Sequence, residues 1–315
     1  YGFIPSPLSI YKNVFKLEPS TILEVDENLK VSKYKYYDLK KQLYKKLSKN
    51  NDIQVNKDTI DDAHKLLRSK IKKMLSNDFK VGCFLSGGID SALITSIAQT
   101  LSKKKLETFT LRTSSKNFDE SDNAKKISQL LGTKHNTYTV KKNDILTYVK
   151  NMHKYYSEPF GDSSQIPSFL LARFAKKKIK IVLTGDGGDE ISGGYNRYLY
   201  FKQYRNLFSK NFFFRILLKV FIPILFNLNK VIKINLLNIW NLDSKLRKIK
   251  SILNIKSIPG YYDASISQGE FDNKYLKSTT FINIKKHIVK NKHSFKDLMY
   301  LDLKLYFPDD ILCKM

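Results

Sequence analysis

Two short apolar runs, Val81 to Leu85 and Ile181 to Leu183, each end in a loop crowded with glycines and acids. The first loop reads Ser86-Gly87-Gly88-Ile89-Asp90-Ser91 and the second Thr184-Gly185-Asp186-Gly187-Gly188-Asp189-Glu190. A short, uniformly apolar run bounded by glycine has the pattern of a strand buried on both faces. Around these runs, helix-like and strand-like segments alternate. Ala92 to Leu101 reads as a helix and Leu106 to Leu111 as a strand. Asp119 to Leu131 is a helix with Gly132 at its C′ position, and Tyr138 to Val140 lies in a further strand. Ile145 to Tyr156 and Ile166 to Lys177 are helical. The alternation predicts an α/β fold, a doubly wound parallel sheet covered on both faces. Ligands of such sheets bind beyond the carboxyl ends of the strands, where both loops fall.

The flanking regions differ. Residues 1 to 40 read as strands and turns: Pro5, Pro7 and Pro19 break any helix, and Thr21 to Val25 and Val31 to Tyr37 are strand-like. Residues 41 to 56 are polar, without a sustained period, and suit a linker. A helix is expected from Asp58 or Thr59, because Ile60, Ala63, Leu66, Leu67, Ile71, Met74 and Leu75 recur at helical spacing. Beyond Tyr198 the chain reads as mainly helical. Its greasiest stretch, Phe212 to Phe226, holds Arg215, Lys219 and Pro223 and falls short of the ~20 apolar residues that span a bilayer. An amphipathic helix buried against its own domain is expected there.

The formal net charge is +27, from 56 Lys and Arg against 29 Asp and Glu. The excess is mostly Lys in scattered short runs, which suits a generic solvated surface better than a nucleic-acid interface. Cys83 and Cys313 form no spaced pair, which excludes a disulfide framework or a zinc cluster. The opening YGFIPSPLSIYK lacks the basic start and apolar core of a signal peptide, so the cytoplasm is the expected location. The sequence opens without Met and stops at Met315 without a polar tail, so a piece of a longer protein is expected.

The loops carry the chemistry. Glycines let a backbone turn tightly and approach a ligand, and a helix N-terminus favours an anion. Ser86 and Ser91 add hydroxyls. Asp90 would repel a phosphate unless Mg²⁺ bridges the two, as hard cations do. No GxxxxGK[ST] motif is present, so this is no Walker loop. In the second loop Asp186, Asp189 and Glu190 repel one another and the glycines are costly to order, which favours a ligand over a plain turn. Arg197, in the continuation Gly193 to Tyr198, is either a contact for an anionic group or a surface arginine.

SGGIDS followed by TGDGGDEISGGYNRY resembles the synthetase domain of glutamine-dependent asparagine synthetases, within the wider group of ATP pyrophosphatases. Glu158 to Ser164 is similar to that family's segment before a long helix, and Tyr1 to Asp38 to the last strands of its glutaminase domain. The resemblance implies ATP and Mg²⁺, with Ser86 to Ser91 (Gly87 and Gly88 included) holding the β,γ-phosphates and Asp90 on the metal. Backbone at Phe84, Leu85 and Leu111 would line the adenine site, and Thr184 and Gly185 would contact the nucleotide. Asp186 stands where asparagine synthetases proper often carry Glu, and is the implied catalytic residue. Gly187, Gly188, Asp189, Glu190 and Arg197 are substrate-loop candidates. Tyr306 to Met315 looks like the family's Leu-Pro-Asp-Asp segment, in which Asp309 or Asp310 is a further metal candidate.

Other parts of the family pattern are missing. The family's glutaminase nucleophile is an N-terminal Cys; this sequence begins with Tyr1, neither Cys83 nor Cys313 is a candidate, and the later Asp-Arg-x-Ser-Met and catalytic Lys are absent. The resemblance therefore implies residues 1–40 as the end of a glutaminase-like domain, 41–56 as a linker, and 57–315 as a synthetase domain truncated at its C-terminus. Expected partners are small molecules: aspartate or a related carboxylate, and glutamine or ammonia. No nucleic acid or membrane is expected, and a homodimer is the expected assembly. The rival readings are an amidotransferase for another carboxylate in surface polysaccharide synthesis and a tRNA-modifying ATP pyrophosphatase.

Overall fold

The computed structural model describes residues 1–47, 55–76, 78–115, 119–208, 217, 221, 224, 258–267 and 295–314. Its chain forms two compact units, Ser6–Gly188 with Pro308–Met315, and Tyr1–Pro5 with Asp189–Phe307.

The first unit is built on a four-stranded sheet of β3 (Val81–Phe84), β4 (Glu107–Arg112), β5 (Lys134–Thr139) and β6 (Ile181–Leu183). The order across the sheet is β5-β4-β3-β6 and every pairing is parallel. The chain moves outward from β3 to β5 and then returns to place β6 on the far side of β3. That reversal is the switch point of a doubly wound sheet, and it lies between the two strands that carry the loops. The predicted fold is borne out.

Alternation along the strands sends side chains to two cores. On one face Val81, Cys83 and Leu183 pack with Ile71 of α2 (Lys57–Leu75) and with Ile97 and Ala98 of α3 (Ile89–Leu101). On the other, Phe84, Phe109 and Val182 meet Leu171, Phe174 and Ala175 of α6 (Gln165–Ala175). Cys83 is 1% exposed, and burial pushes its thiol up to about 11. Helix α4 (Ser121–Leu131) ends as predicted on Gly132, at φ 68°.

Some boundaries differ from those expected. Helix α1 (Leu39–Leu47) covers part of the span read as a linker. Strand β5 begins at Lys134, ahead of the Tyr138 to Val140 run. Helix α5 (Lys142–Asn151) starts earlier than Ile145, because the Asp144 carboxylate accepts the Lys141 N–H at 3.0 Å and caps the first turn. In the N-terminal region β1 (Thr21–Val25) and β2 (Val31–Lys35) pair antiparallel, as expected. Beyond the sheet, α7 (Gly188–Ser192), α8 (Asn196–Phe208), α9 (Ile258–Ile266) and α10 (Phe295–Leu301) bear out the mainly helical reading, followed by a wide π-helical turn over Asp302–Ile311. The amphipathic helix expected at Phe212 to Phe226 lies mostly outside the described residues. Leu217, Phe221 and Ile224 are helical there and about half exposed.

At the amino edge of the sheet, Glu107 is almost fully buried and accepts from Asn136 Nδ2 at 2.7 Å. Lys80 and Lys134 flank it at 3.0 and 3.1 Å. Burial alone would raise its pKa, but the Asn136 hydrogen bond and the two ammonium groups outweigh it and bring it down to about 2. Because the folded pKa is depressed, this carboxylate stabilises the fold above its ordinary 4.5, and that stability is lost as pH falls toward about 2. Denaturant melts of Glu107→Gln at pH 5 and pH 3 should therefore show a smaller loss between the two than the parental protein. An equal loss would place the acid sensitivity elsewhere.

Candidate functional site

The loop after β3 braces itself. Ser91 is buried, and its hydroxyl donates to the Gly88 carbonyl at 3.1 Å while accepting the Ser86 N–H at 3.2 Å. That proton is then spent, so Ser86 is the donor in the 3.1 Å contact between the two hydroxyls. Ser86 Oγ also accepts the Gly88 N–H at 3.2 Å. The two serines shape the loop, and Gly87, at φ 93°, supplies its left-handed turn. Gly88 is the extended N-cap of α3, so the first turn of that helix opens from this loop with Asp90 in it. Just before it, the Leu85 N–H is spent on the Phe109 carbonyl at 3.0 Å, so its carbonyl is the backbone group left to line a ligand site. Leu111, near the end of β4, pairs with Tyr138.

The loop after β6 meets the first loop backbone to backbone. A Cβ on Gly185 would lie 2.8 Å from the Ser91 nitrogen, and one on Gly188 would lie 2.6 Å from Asp90 Oδ1. A side chain at 185 is excluded by the Ser91 backbone, and one at 188 would displace the Asp90 carboxylate, which lies close against the second loop. Gly187 is buried at φ 90°, and the Gly188 N–H closes the turn on the Gly185 carbonyl at 3.1 Å. Asp186 projects exposed from that turn, its N–H 3.4 Å from Thr184 Oγ1. Sequence reasoning thus placed Phe84 to Ser91 and Thr184 to Gly188 correctly at one edge, and the structure brings their backbones together.

It missed a third group at the same edge. Helix α6 runs antiparallel to the strands, so its N-terminus lies with the two loops. Asp162 shapes the turn just before it, accepting from the N and Oγ of the N-cap residue Ser164 at 2.9 and 2.5 Å. Lys314 Nζ donates to Asp162 Oδ2 and stands 3.5 Å from Asp310 Oδ1. Burial would raise Asp162, but Lys314 and Ser164 bring it down to about 2; burial and the Asp162 carboxylate push Asp310 up to about 6. An acid followed by serines before a helix is a cap signal that could have found Asp162. Nothing local marks Lys314. As for the metal candidates here, Asp309 accepts the Ser6 N–H at 2.7 Å and Asp310 already has an ammonium beside it. Among the described residues no group of three or more His, Cys, Asp or Glu gathers as a metal site.

The rest of the second motif belongs to the other unit. The Asp189 carbonyl accepts the N–H groups of Gly193 and Gly194 at 2.9 and 3.0 Å and ends α7. Glu190 is buried and accepts from the Tyr195 hydroxyl at 2.6 Å. Arg197 is mostly buried and paired with an acid of its own chain. Its Nε donates to Oδ2 of the fully buried Asp302 at 2.9 Å, and its Nη2 lies 2.9 Å from Oδ1 as an ion pair. It also lies 4.0 and 4.7 Å from the ring centres of Tyr195 and Tyr306. Glu190 and Arg197 thus each have a partner within their own unit.

Several known proteins are similar to this chain in sequence. A provisionally named glutamine-hydrolyzing asparagine synthetase of Methanocaldococcus jannaschii is 37% identical over 203 residues, 63% of this chain and 37% of that protein. Glutamine-hydrolyzing asparagine synthetase 1 of Bacillus subtilis is 28% identical over 198 residues, 63% of this chain and 30% of that one. The chain thus spans about a third of the length of the curated relatives it matches. An NH3-dependent NAD synthetase of Campylobacter jejuni overlays 62% of this chain and 96% of its own at 14% identity and a TM-score of 0.31, too slight a likeness to bear on the site. The family model described as asparagine synthase matches residues 62–314, which include both loops, α6 and Lys314. The chain belongs to the asparagine synthase family.

Proposed function

We propose that the full-length protein is an ATP-dependent carbon–nitrogen ligase of the asparagine synthetase kind. It adenylates the side-chain carboxylate of aspartate, releases pyrophosphate, and lets ammonia derived from glutamine displace AMP. The observation that carries this reading is the meeting of the two loops at the switch point, with Asp90 close to Gly188 and Asp186 exposed on the adjoining turn.

The chain's own residues have distinct tasks. The Ser86 to Ser91 loop, held in shape by its two hydroxyls, presents backbone and the start of α3 to the β,γ-phosphates, where helix-end donors favour an anion. Phe84, Leu85 and Leu111 border the adenine, and Thr184 and Gly185 the rest of the nucleotide. Asp186 attracts ammonia and takes a proton as it attacks the acyl-adenylate. The fit to magnesium rests on Asp90, an acid in the first turn of α3 that lies close to Gly188. When bound there, Mg²⁺ supplies charge neutralisation to the leaving pyrophosphate. Asp309 and Asp310 are assigned no part in holding it.

Residues 1–40 are read as the end of a glutaminase-like domain, joined through 41–56 to a synthetase domain at 57–315. The β1–β2 hairpin supports this, since Ile22, Leu23, Val25, Val31 and Tyr34 are exposed and a lone hairpin is marginal without neighbouring strands. Glutamine hydrolysis is assigned to a segment beyond these residues. Cys83 is buried with a raised pKa and Cys313 is raised as well, so neither offers the thiolate that attacks glutamine. Among the described residues no helix is long and apolar enough to cross a membrane. Small molecules rather than nucleic acid are the partners in this reading, with a cytoplasmic location and a homodimeric assembly.

In full-length protein with ATP and magnesium, pyrophosphate release should require a carboxylate, and aspartate should be the most effective of a panel of amino dicarboxylates and sugar acids. Release favouring a sugar acid would move the substrate assignment. Release indifferent to every carboxylate would overturn adenylation.

A further inference from the structure

The turn that leads into α6 and the Pro308–Lys314 segment lie about 150 positions apart in sequence, yet Lys314 joins them directly. Its ammonium donates to Asp162 Oδ2 and stands 3.5 Å from Asp310, and its side chain is 9% exposed. A buried lysine set between two acids is held in one place. The turn it holds is well ordered on its other side. The Gln165 N–H donates to the Asp162 carbonyl at 3.2 Å, Gln165 Nε2 to the Phe160 carbonyl at 2.9 Å, and the Tyr148 hydroxyl to Gln165 Oε1 at 3.0 Å. Residues 6–16 tie the same two segments together a second time. Ser6 donates to Asp309, Ile10 to Glu158 Oε1 at 3.0 Å, and Lys16 pairs with Glu158 Oε2 at 2.7 Å.

We propose that Lys314 is a positioning residue for the adenylation step. It clamps the Asp162–Gln165 turn, and with it the N-terminal end of α6, at the carboxyl edge beside the two ligand loops. The inference rests on the functional reading given above. A clamp of this kind acts on the geometry of reaction more than on nucleotide affinity, because displacement of a supporting wall by about 1 Å costs up to ~10²-fold in rate.

The test uses the full-length protein with Lys314→Met, which keeps length and removes charge, and Lys314→Arg, which keeps the charge. The Met variant should lose roughly tenfold or more in kcat for aspartate-dependent pyrophosphate release, with KM for ATP within about twofold. The Arg variant should recover most of that loss. A lysine with a merely structural role would lower the melting temperature and leave kcat per folded molecule unchanged, and that result overturns the proposal, as does an Arg variant no better than Met. Amide exchange over residues 158–168 needs no turnover and separates the two claims. It should rise about tenfold in Lys314→Met as the turn opens locally; unchanged exchange refutes the clamp. A parental protein that releases no pyrophosphate with any carboxylate refutes the functional reading alone.

Discussion

Asp90→Asn should reduce carboxylate-dependent pyrophosphate release by roughly 10²- to 10³-fold, the scale on which a fixed electrostatic group contributes to a charged transition state. The substitution is nearly isosteric, so the close approach of residue 90 to the Gly188 backbone survives and the two loops stay together. What disappears is the negative charge at an anion-binding turn. Without magnesium, that charge opposes ATP, so the variant should bind metal-free ATP no more weakly than the parental protein. With magnesium, the parental protein should gain affinity and the variant should not. Calorimetric titration of both proteins with and without the metal reads this directly. A variant that tightens on ATP with magnesium as the parental protein does would remove Asp90 from the metal site.

Asp186→Asn should lower amide formation by roughly 10²-fold or more, the usual scale of general-base loss. Asp186 is exposed on the turn between Thr184 and Gly188, and Asn there keeps size and hydrogen bonding while removing the group that attracts ammonia or accepts its proton. ATP affinity should stay close to parental, because the backbone approach at Gly185 does not depend on this side chain. Asp186→Glu should keep more activity, since a carboxylate remains within reach of the same point. Amide product and ATP affinity are followed together in full-length protein supplied with ammonium. Parental rates of amide formation in the Asn variant would make the acidic turn structural.

The parts of the fold legible in the sequence were those with local causes. Strand β3 lies inside the sheet and β6 at one edge, and their continuous apolar runs announced them. Strand β5, KHNTYT, is an edge strand, and several of its polar side chains find partners elsewhere. Asn136 reaches Glu107, and His135 Nδ1 lies 3.0 Å from Thr108 Oγ1. No window of six residues could show those partners, so only its aromatic end was read. The ligand loops were legible because glycines and acids after an apolar strand have few other uses. Their internal bonding was not: the Ser91 hydroxyl donates to the Gly88 carbonyl, which only the folded loop brings within reach. The partner of Arg197, Asp302, lies 105 positions away, and that of Lys314, Asp162, lies 152 positions away. Burial and long-range pairing decided these cases, and neither has a local signature.

The central claim is that the carboxylate oxygen attacks the α-phosphate of ATP before nitrogen arrives. It is tested by supplying full-length protein with aspartate labelled with oxygen-18 in its side-chain carboxylate, together with ATP, magnesium and ammonium. The account predicts AMP and pyrophosphate in equal amounts, with one labelled oxygen carried into each AMP for every amide made. Unlabelled AMP, or ADP and phosphate as the nucleotide products, would contradict it.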